Sequence, residues 1–85
     1  MKYKITFKKS VARDLKKVGK EEAEKLLKKI AKQLPSEAIH CPQLKGRYTG
    51  LRKYRIGDYR IIFALLEDTA LITRVGHRKN IYKKR

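Results

Sequence analysis

Residues 51 to 62, Leu-Arg-Lys-Tyr-Arg-Ile-Gly-Asp-Tyr-Arg-Ile-Ile, constrain the fold more than any other stretch of the chain. Two runs with strand character meet at Gly57-Asp58. A two-residue loop with glycine first suits a type II′ hairpin turn, because glycine takes φ > 0 there without strain. Counting outward predicts the pairs Ile56 with Tyr59, Arg55 with Arg60, Tyr54 with Ile61 and Lys53 with Ile62. Two arginines directly opposite one another repel, where an opposite-charge pair would stabilise. Lys53 lies on the same face, since strand side chains alternate with period two. A strand face of one charge sign breaks a local rule, and such breaks are expected at functional sites. The ligand that would relieve the repulsion is an anion; the alternative is a solvated face with no duty.

Composition strengthens the anion reading. The formal charge is +16, from 24 basic and 8 acidic residues. Self-repulsion of that size points to a polyanionic partner: nucleic acid, an anionic membrane or an acidic protein. Heat-adapted proteins are also lysine-rich, but they balance Lys with Glu in ion-pair networks, and acids are too few here. Five of the eight acids precede residue 40, so the positive field belongs to the C-terminal half. Residues 45–62 hold six basic groups against Asp58 alone, and residues 71–85 hold six against none.

The 85 residues are expected to form a single domain, 1–85. A lone cysteine, Cys41, excludes an internal disulfide and fits a reducing cytoplasm. No signal-like or membrane-spanning apolar run is present, so the expected protein is soluble and cytoplasmic, with no membrane partner.

The elements follow in order. Residues 2–8 alternate, with Tyr3, Ile5 and Phe7 on one side and lysines on the other, as in a half-buried edge strand. Ser10 is a candidate helix cap, Val11, Leu15 and Val18 a short apolar stripe, and Gly19 its stop. Lys20 to Leu34 is the clearest helix, with Ala23, Leu26, Leu27, Ile30, Ala31 and Leu34 as its apolar stripe. Glu21–Lys25 and Glu24–Lys28 are i,i+4 pairs in the better orientation, and Pro35 is expected to end the helix. Residues 36–50 read as loop. Tyr59 to Leu66 is apolar after Arg60, as in a central strand covered on both faces. Glu67-Asp68-Thr69 turns the chain into a last strand, Ala70 to Val75. Turns of two, three or four residues all fit, so its register stays open, but each brings residues 75–78 beside Arg60.

His40 and Cys41 invite a metal or nucleophile reading. Zinc needs three or four ligands and a second cluster is missing; a nucleophilic cysteine needs a base placed across the fold, which adjacency does not supply. A loop with a part-buried cysteine is the preferred reading, and no cofactor or metal is expected. At one end of the sheet the pattern instead gathers Arg52 or Lys53, Arg55, Arg60, His77, Arg78 and Tyr82. Several Arg/Lys groups in one place clamp a phosphate and stabilise charge developing on it. Tyr82 offers a ring for stacking on a base, and a histidine such as His77 can carry a proton. Each has a plainer role too: rim charges for the arginines, an apolar anchor with Ile81 for Tyr82, a strand cap for His77. No carboxylate pair, Ser/His/Asp order or glycine-rich phosphate loop is present, so an enzyme of this composition would work with cations on a phosphodiester.

The order strand, helix, helix, strand, strand, strand resembles the RelE/ParE superfamily of toxins from type II toxin–antitoxin modules. So do the motifs Leu44-Lys45-Gly46, Tyr54 to Phe63, and Arg74-Val75-Gly76-His77-Arg78-Lys79-Asn80-Ile81-Tyr82. The likeness spans essentially the whole chain. It implies an α+β fold of the RelE-like, microbial-ribonuclease type, with an N-terminal strand and a helical hairpin packed on a mainly antiparallel four-stranded twisted sheet. It further implies a metal-independent endoribonuclease that enters the ribosomal A site, cuts mRNA by attack of the ribose 2′-hydroxyl on the adjacent phosphate, and so inhibits translation. On that likeness Arg60 and Arg78 hold the phosphate, Lys53 assists proton transfer and Tyr82 stacks on the base. Arg52, Arg55, His77, Lys79, Lys45 and Arg47 contribute RNA binding. The partners implied are mRNA, ribosomal RNA and a cognate antitoxin that forms a hetero-oligomer with the toxin. The ParE branch, which poisons DNA gyrase and generally lacks this cationic set, is the alternative, with a non-catalytic RNA-binding or ribosome-binding protein as a third.

Overall fold

The computed structural model describes residues 2–46 and 49–81. The elements are β1 (Lys4–Phe7), α1 (Val11–Val18), α2 (Lys20–Glu37), a 3-10 turn (Ala38–His40), β2 (Arg52–Ile56), β3 (Tyr59–Leu66) and β4 (Thr69–His77). The four strands form one sheet in the order β1-β4-β3-β2. β1 runs parallel to β4, and the other two pairings are antiparallel. β1 is therefore an edge strand, as its lysines suggest. No helix among the described residues is long and apolar enough to cross a membrane.

The hairpin pairs as predicted: Arg55 opposite Arg60, Tyr54 opposite Ile61, Lys53 opposite Ile62. Gly57 takes φ 58°, while Asp58 is not among the positive-φ residues, the signature of a type II′ turn. The next hairpin closes with the pair Leu66–Thr69, so its loop is the two residues Glu67-Asp68, with Glu67 at φ 55°.

Both helices lie on one face of the sheet. Val11 from α1 and Leu26, Ile30 and Leu34 from α2 meet Ile56, Ile61, Phe63, Ala70, Ile72 and Val75 in a single core. The expectation that β3 is covered on both faces is corrected. β3 is central in the sheet, but its second face carries Ile62, Ala64 and Leu66, and Leu66 is 54% exposed. Ile62 on that face is still only 3% exposed. Its cross-strand neighbours are Lys53 and Arg74, whose long alkyl stems can cover it while their charges stay in water.

A β-bulge sets the register of β4. Ile62 pairs with Arg74 but Phe63 pairs with Ile72, leaving Thr73 as the extra residue. Its hydroxyl donates to the Ile62 carbonyl at 3.2 Å. The bulge lets Ile72 and Val75, three residues apart, both point into the core, which an unbroken period of two forbids.

Three local expectations are revised. Ser10 does not cap α1: it already has helical dihedrals, and the first helical amides bond instead to the carbonyls of Lys8, Lys9 and Ser10. Pro35 does not end α2, which runs to Glu37 and passes into the 3-10 turn. A proline removes one helical N–H and crowds the carbonyl four residues back, a local cost that packing can offset. Fully buried Leu34 and Ala38 hold the turn beyond it, and the Pro35 carbonyl accepts the Tyr3 amide at 2.9 Å. The stretch 36–50 is thus not loop throughout, and its later part pairs with the hairpin, the Leu44 amide donating to the Leu51 carbonyl at 2.8 Å.

Candidate functional site

The uncovered face of the sheet carries the basic residues in cross-strand rows. One row is Lys53, Ile62, Arg74; the next is Arg55, Arg60, Gly76. The β3–β4 ladder continues one step further, where the Arg78 amide donates to the Asp58 carbonyl at 2.8 Å. That register position gives Arg78 the same parity as Gly76 and Arg60.

The Gly57-Asp58 turn positions two guanidinium groups. Arg60 Nη1 donates to the carbonyls of Gly57 and Tyr59, each at 3.1 Å. Arg78 Nε lies 3.8 Å from Asp58 Oδ1, with both side chains more than half exposed. An exposed ion pair at that distance contributes little stability, so an incoming phosphate can replace the Asp58 carboxylate at small cost. Arg60 uses one guanidinium nitrogen on carbonyls, and its other donors remain available in a planar fork suited to phosphate oxygens.

Other predicted residues go elsewhere. Arg52 pairs with Phe63, on the helix-covered face, and its Nη1 donates to the carbonyls of Ile39 at 3.3 Å and Cys41 at 2.8 Å. There it ties the end of the 3-10 turn to β2. His77 is at the expected end of the sheet but on the opposite face from Arg60: it pairs with Tyr59, the rings meeting edge to face at 5.6 Å. Its Nδ1 accepts the Lys79 amide at 3.1 Å, so in the neutral ring the proton sits on Nε2. The gathering of His77 with the arginines is therefore corrected, because alternation along β4 sends 76 and 77 to different faces. Lys79 and Lys45 are exposed, in the turn after β4 and the turn before β2. Arg47 and Tyr82 lie outside the described residues. Ile81 is buried and packs over Gly76, where an added Cβ would stand 3.3 Å from Ile81 Cδ1.

One residue of the site's framework escaped the sequence reading. Asp14 is the single acid of α1, and its Oδ2 accepts the Val75 amide at 3.0 Å and lies 3.4 Å from Arg74 Nε. It caps the edge of β4 beyond the end of β1 and steadies the segment that leads to Arg78. Nothing in the local pattern marks it, apart from an acid standing alone in a basic helix.

Cys41 supports no nucleophile reading. Burial, reinforced by Glu37 and opposed by Arg52, pushes its thiol pKa up, and the thiol donates to the Glu37 carbonyl at 3.4 Å. A nucleophilic thiol needs the reverse shift. Burial likewise raises the Tyr54 phenol, helped by Glu37 and Cys41, and its hydroxyl bonds to Gln33 Oε1.

Comparison with known proteins supplies the context. The family model of the ParE toxin of type II toxin–antitoxin systems matches residues 5–82. The toxin–antitoxin complex RelBE2 from Mycobacterium tuberculosis contains a chain similar to this one at TM-score 0.83 and 25% identity, covering 92% of this chain and all of that one. The RelB–RelE complex from Methanococcus jannaschii is similar at TM-score 0.69 and 30% identity, covering 91% and 94%. The toxin RelE of E. coli, in complex with an antitoxin peptide, shares the fold at TM-score 0.67 and 23% identity, covering 91% and 84%. No curated protein matches the chain significantly.

Proposed function

The chain belongs to the ParE toxin family of type II toxin–antitoxin systems, within the RelE/ParE superfamily, and from that premise we propose that it is a metal-independent endoribonuclease that cuts mRNA in the ribosomal A site. The observation that supports this reading is the Gly57-Asp58 turn, to which the guanidiniums of Arg60 (on the Gly57 carbonyl) and Arg78 (beside the Asp58 carboxylate) are both tied, at the end of a hairpin that also bears Lys53 and Arg55.

In the reaction the ribose 2′-oxygen forms a bond to the adjacent phosphorus as the bond to the 5′-oxygen breaks. The product is a 2′,3′-cyclic phosphate, and the 2′-hydroxyl proton is in effect transferred to the departing 5′-oxygen. Arg60 and Arg78 neutralise charge that accumulates on the non-bridging oxygens, Lys53 assists the proton transfer, and Arg55 holds the neighbouring backbone. Tyr82, Arg47, Lys45 and Lys79 are the further RNA contacts of this reading. Arg52 and His77 support the site from the other face. The partner that silences the toxin is an antitoxin, in keeping with the antitoxin complexes formed by the structural relatives.

Primer extension on ribosomes programmed with a defined mRNA tests the reading. Cuts confined to the A-site codon are expected, with Arg60→Ala and Arg78→Ala each slowing cleavage by about 100- to 1,000-fold, the range for losing one preorganised transition-state contact. Intact mRNA at saturating protein would overturn it. The second reading, gyrase inhibition, rests on the matching family being that of ParE, and a supercoiling assay in parallel decides for it.

A further inference from the structure

A second single-sign surface lies on the opposite side of the molecule. Lys25, Lys28, Lys29 and Lys32 of α2 fall at i, i+3, i+4 and i+7, one stripe about 10 Å long at 1.5 Å rise per residue. All four are exposed, and they oppose the buried positions Ala23, Leu26, Ile30 and Leu34, so the stripe faces away from the sheet. Like charges at these spacings weaken a helix. The i,i+4 acids do not relieve them: among the described residues Lys25 alone of the four has an acidic partner, Glu22 at 3.8 Å. No acid stands between Lys25 and Ser36. The arrangement breaks the same local rule as the Arg55–Arg60 pair and does so independently of it.

We propose that this outer face of α2 is a second polyanion-binding surface whose partner is double-helical RNA, gripped through its backbone phosphates. The chemistry narrows the partner. A membrane-binding helix needs an apolar face to insert, and that of α2 is spent on the core. A protein partner needs an apolar interface centre, which a lysine stripe does not offer. Single strands are held by aromatic stacking, and α2 has no aromatic residue. What remains is backbone recognition by point charges, which reads no sequence and suits a duplex. Choosing RNA over DNA rests on the ribonuclease reading above; the surface itself does not. With the sheet face on a single strand and α2 on a neighbouring duplex, the protein can be gripped from both sides at once.

The test is binding of the full-length protein to a fluorescent RNA duplex between 50 and about 300 mM salt. A DNA duplex of the same sequence, a single-stranded RNA and vesicles containing anionic lipid serve as parallel probes. Changing all four residues (Lys25→Gln, Lys28→Gln, Lys29→Gln, Lys32→Gln) should lower the log–log salt slope for duplex RNA by about three to four, close to one per phosphate contact. The corresponding four Lys→Arg changes should leave it intact. Glutamine keeps nearly the helix propensity of lysine and removes like-charge repulsion, so a circular dichroism melt no lower than that of the wild type certifies the fold. An unchanged slope, an equal loss in the Lys→Arg variant, a preference for the DNA duplex, or loss confined to the vesicles would each overturn the proposal. Since the readout is binding rather than cleavage, it is independent of whether the protein proves to be a nuclease.

Discussion

Arg60 and Arg52 stand eight positions apart on neighbouring strands and do opposite jobs. Arg52 spends its guanidinium on the carbonyls of Ile39 and Cys41 and stitches the 3-10 turn to the sheet, whereas Arg60 sits on the uncovered face with donors to spare. Pairing decides the difference, since Arg52 shares a face with Phe63 and Arg60 with Arg55. Beside Arg52, the Cys41 thiol has its pKa raised chiefly by burial. The folded state therefore holds the thiol proton more tightly than the unfolded chain, a contribution fully present below the ordinary thiol pKa. As pH rises past that value, the unfolded thiol ionises first and the contribution is lost. Melting curves across the alkaline range should show wild type losing more stability than Cys41→Ala. Parallel losses would sink this account.

Among the elements, β4 carries the most consequence. Its first half pairs with β1 on one side, and beyond Ile72 that edge is left to Asp14 of α1. Asp14→Ala leaves the part-buried Val75 amide without its partner, a loss of about 1–3 kcal/mol. Asp14→Asn keeps an acceptor and gives up only an exposed contact with Arg74, so it should cost under about 1 kcal/mol. Chemical denaturation of the two variants checks the order. Equal destabilisation would mean that the ion pair, not the amide cap, is what matters. On the proposed function, stability lost in the alanine variant should appear together with slower cleavage, because the end of β4 that Asp14 caps leads directly into Arg78.

For the whole molecule, the net charge of +16 sets the conditions under which it is most stable. Cations outnumber acids three to one, and the four ion pairs seen among the described residues all span 3.4 Å or more. Self-repulsion therefore outweighs pairing, and screening relieves it within a Debye length of about 10 Å at 0.1 M. The melting temperature should rise as sodium chloride is raised from 20 to roughly 500 mM, the reverse of a fold held by surface ion pairs. A fall over that range would show that the pairs dominate. The RNA binding proposed above draws on the same field, so it should weaken with salt while the free protein gains stability.

What the sequence determined by itself is what depends on near neighbours. The hairpin register follows from a glycine-first turn and period-two alternation. The stripe of α2, the edge character of β1 and the charge asymmetry follow from spacing and composition. The paired arginines could be named from the residues alone for that reason. The tertiary structure decided whatever hangs on contacts distant in sequence. The bulge at Thr73 shifts the parity of β4 so that Ile72 and Val75 share the core, which sends Gly76 to the face of Arg60 and His77 to that of Tyr59. No local pattern encodes that shift, because it is core packing between β3 and β4 that selects it. The same holds for Pro35, tolerated because burial of Leu34 and Ala38 holds the turn around it, and for Asp14, whose role exists only once α1 lies along the free edge of β4.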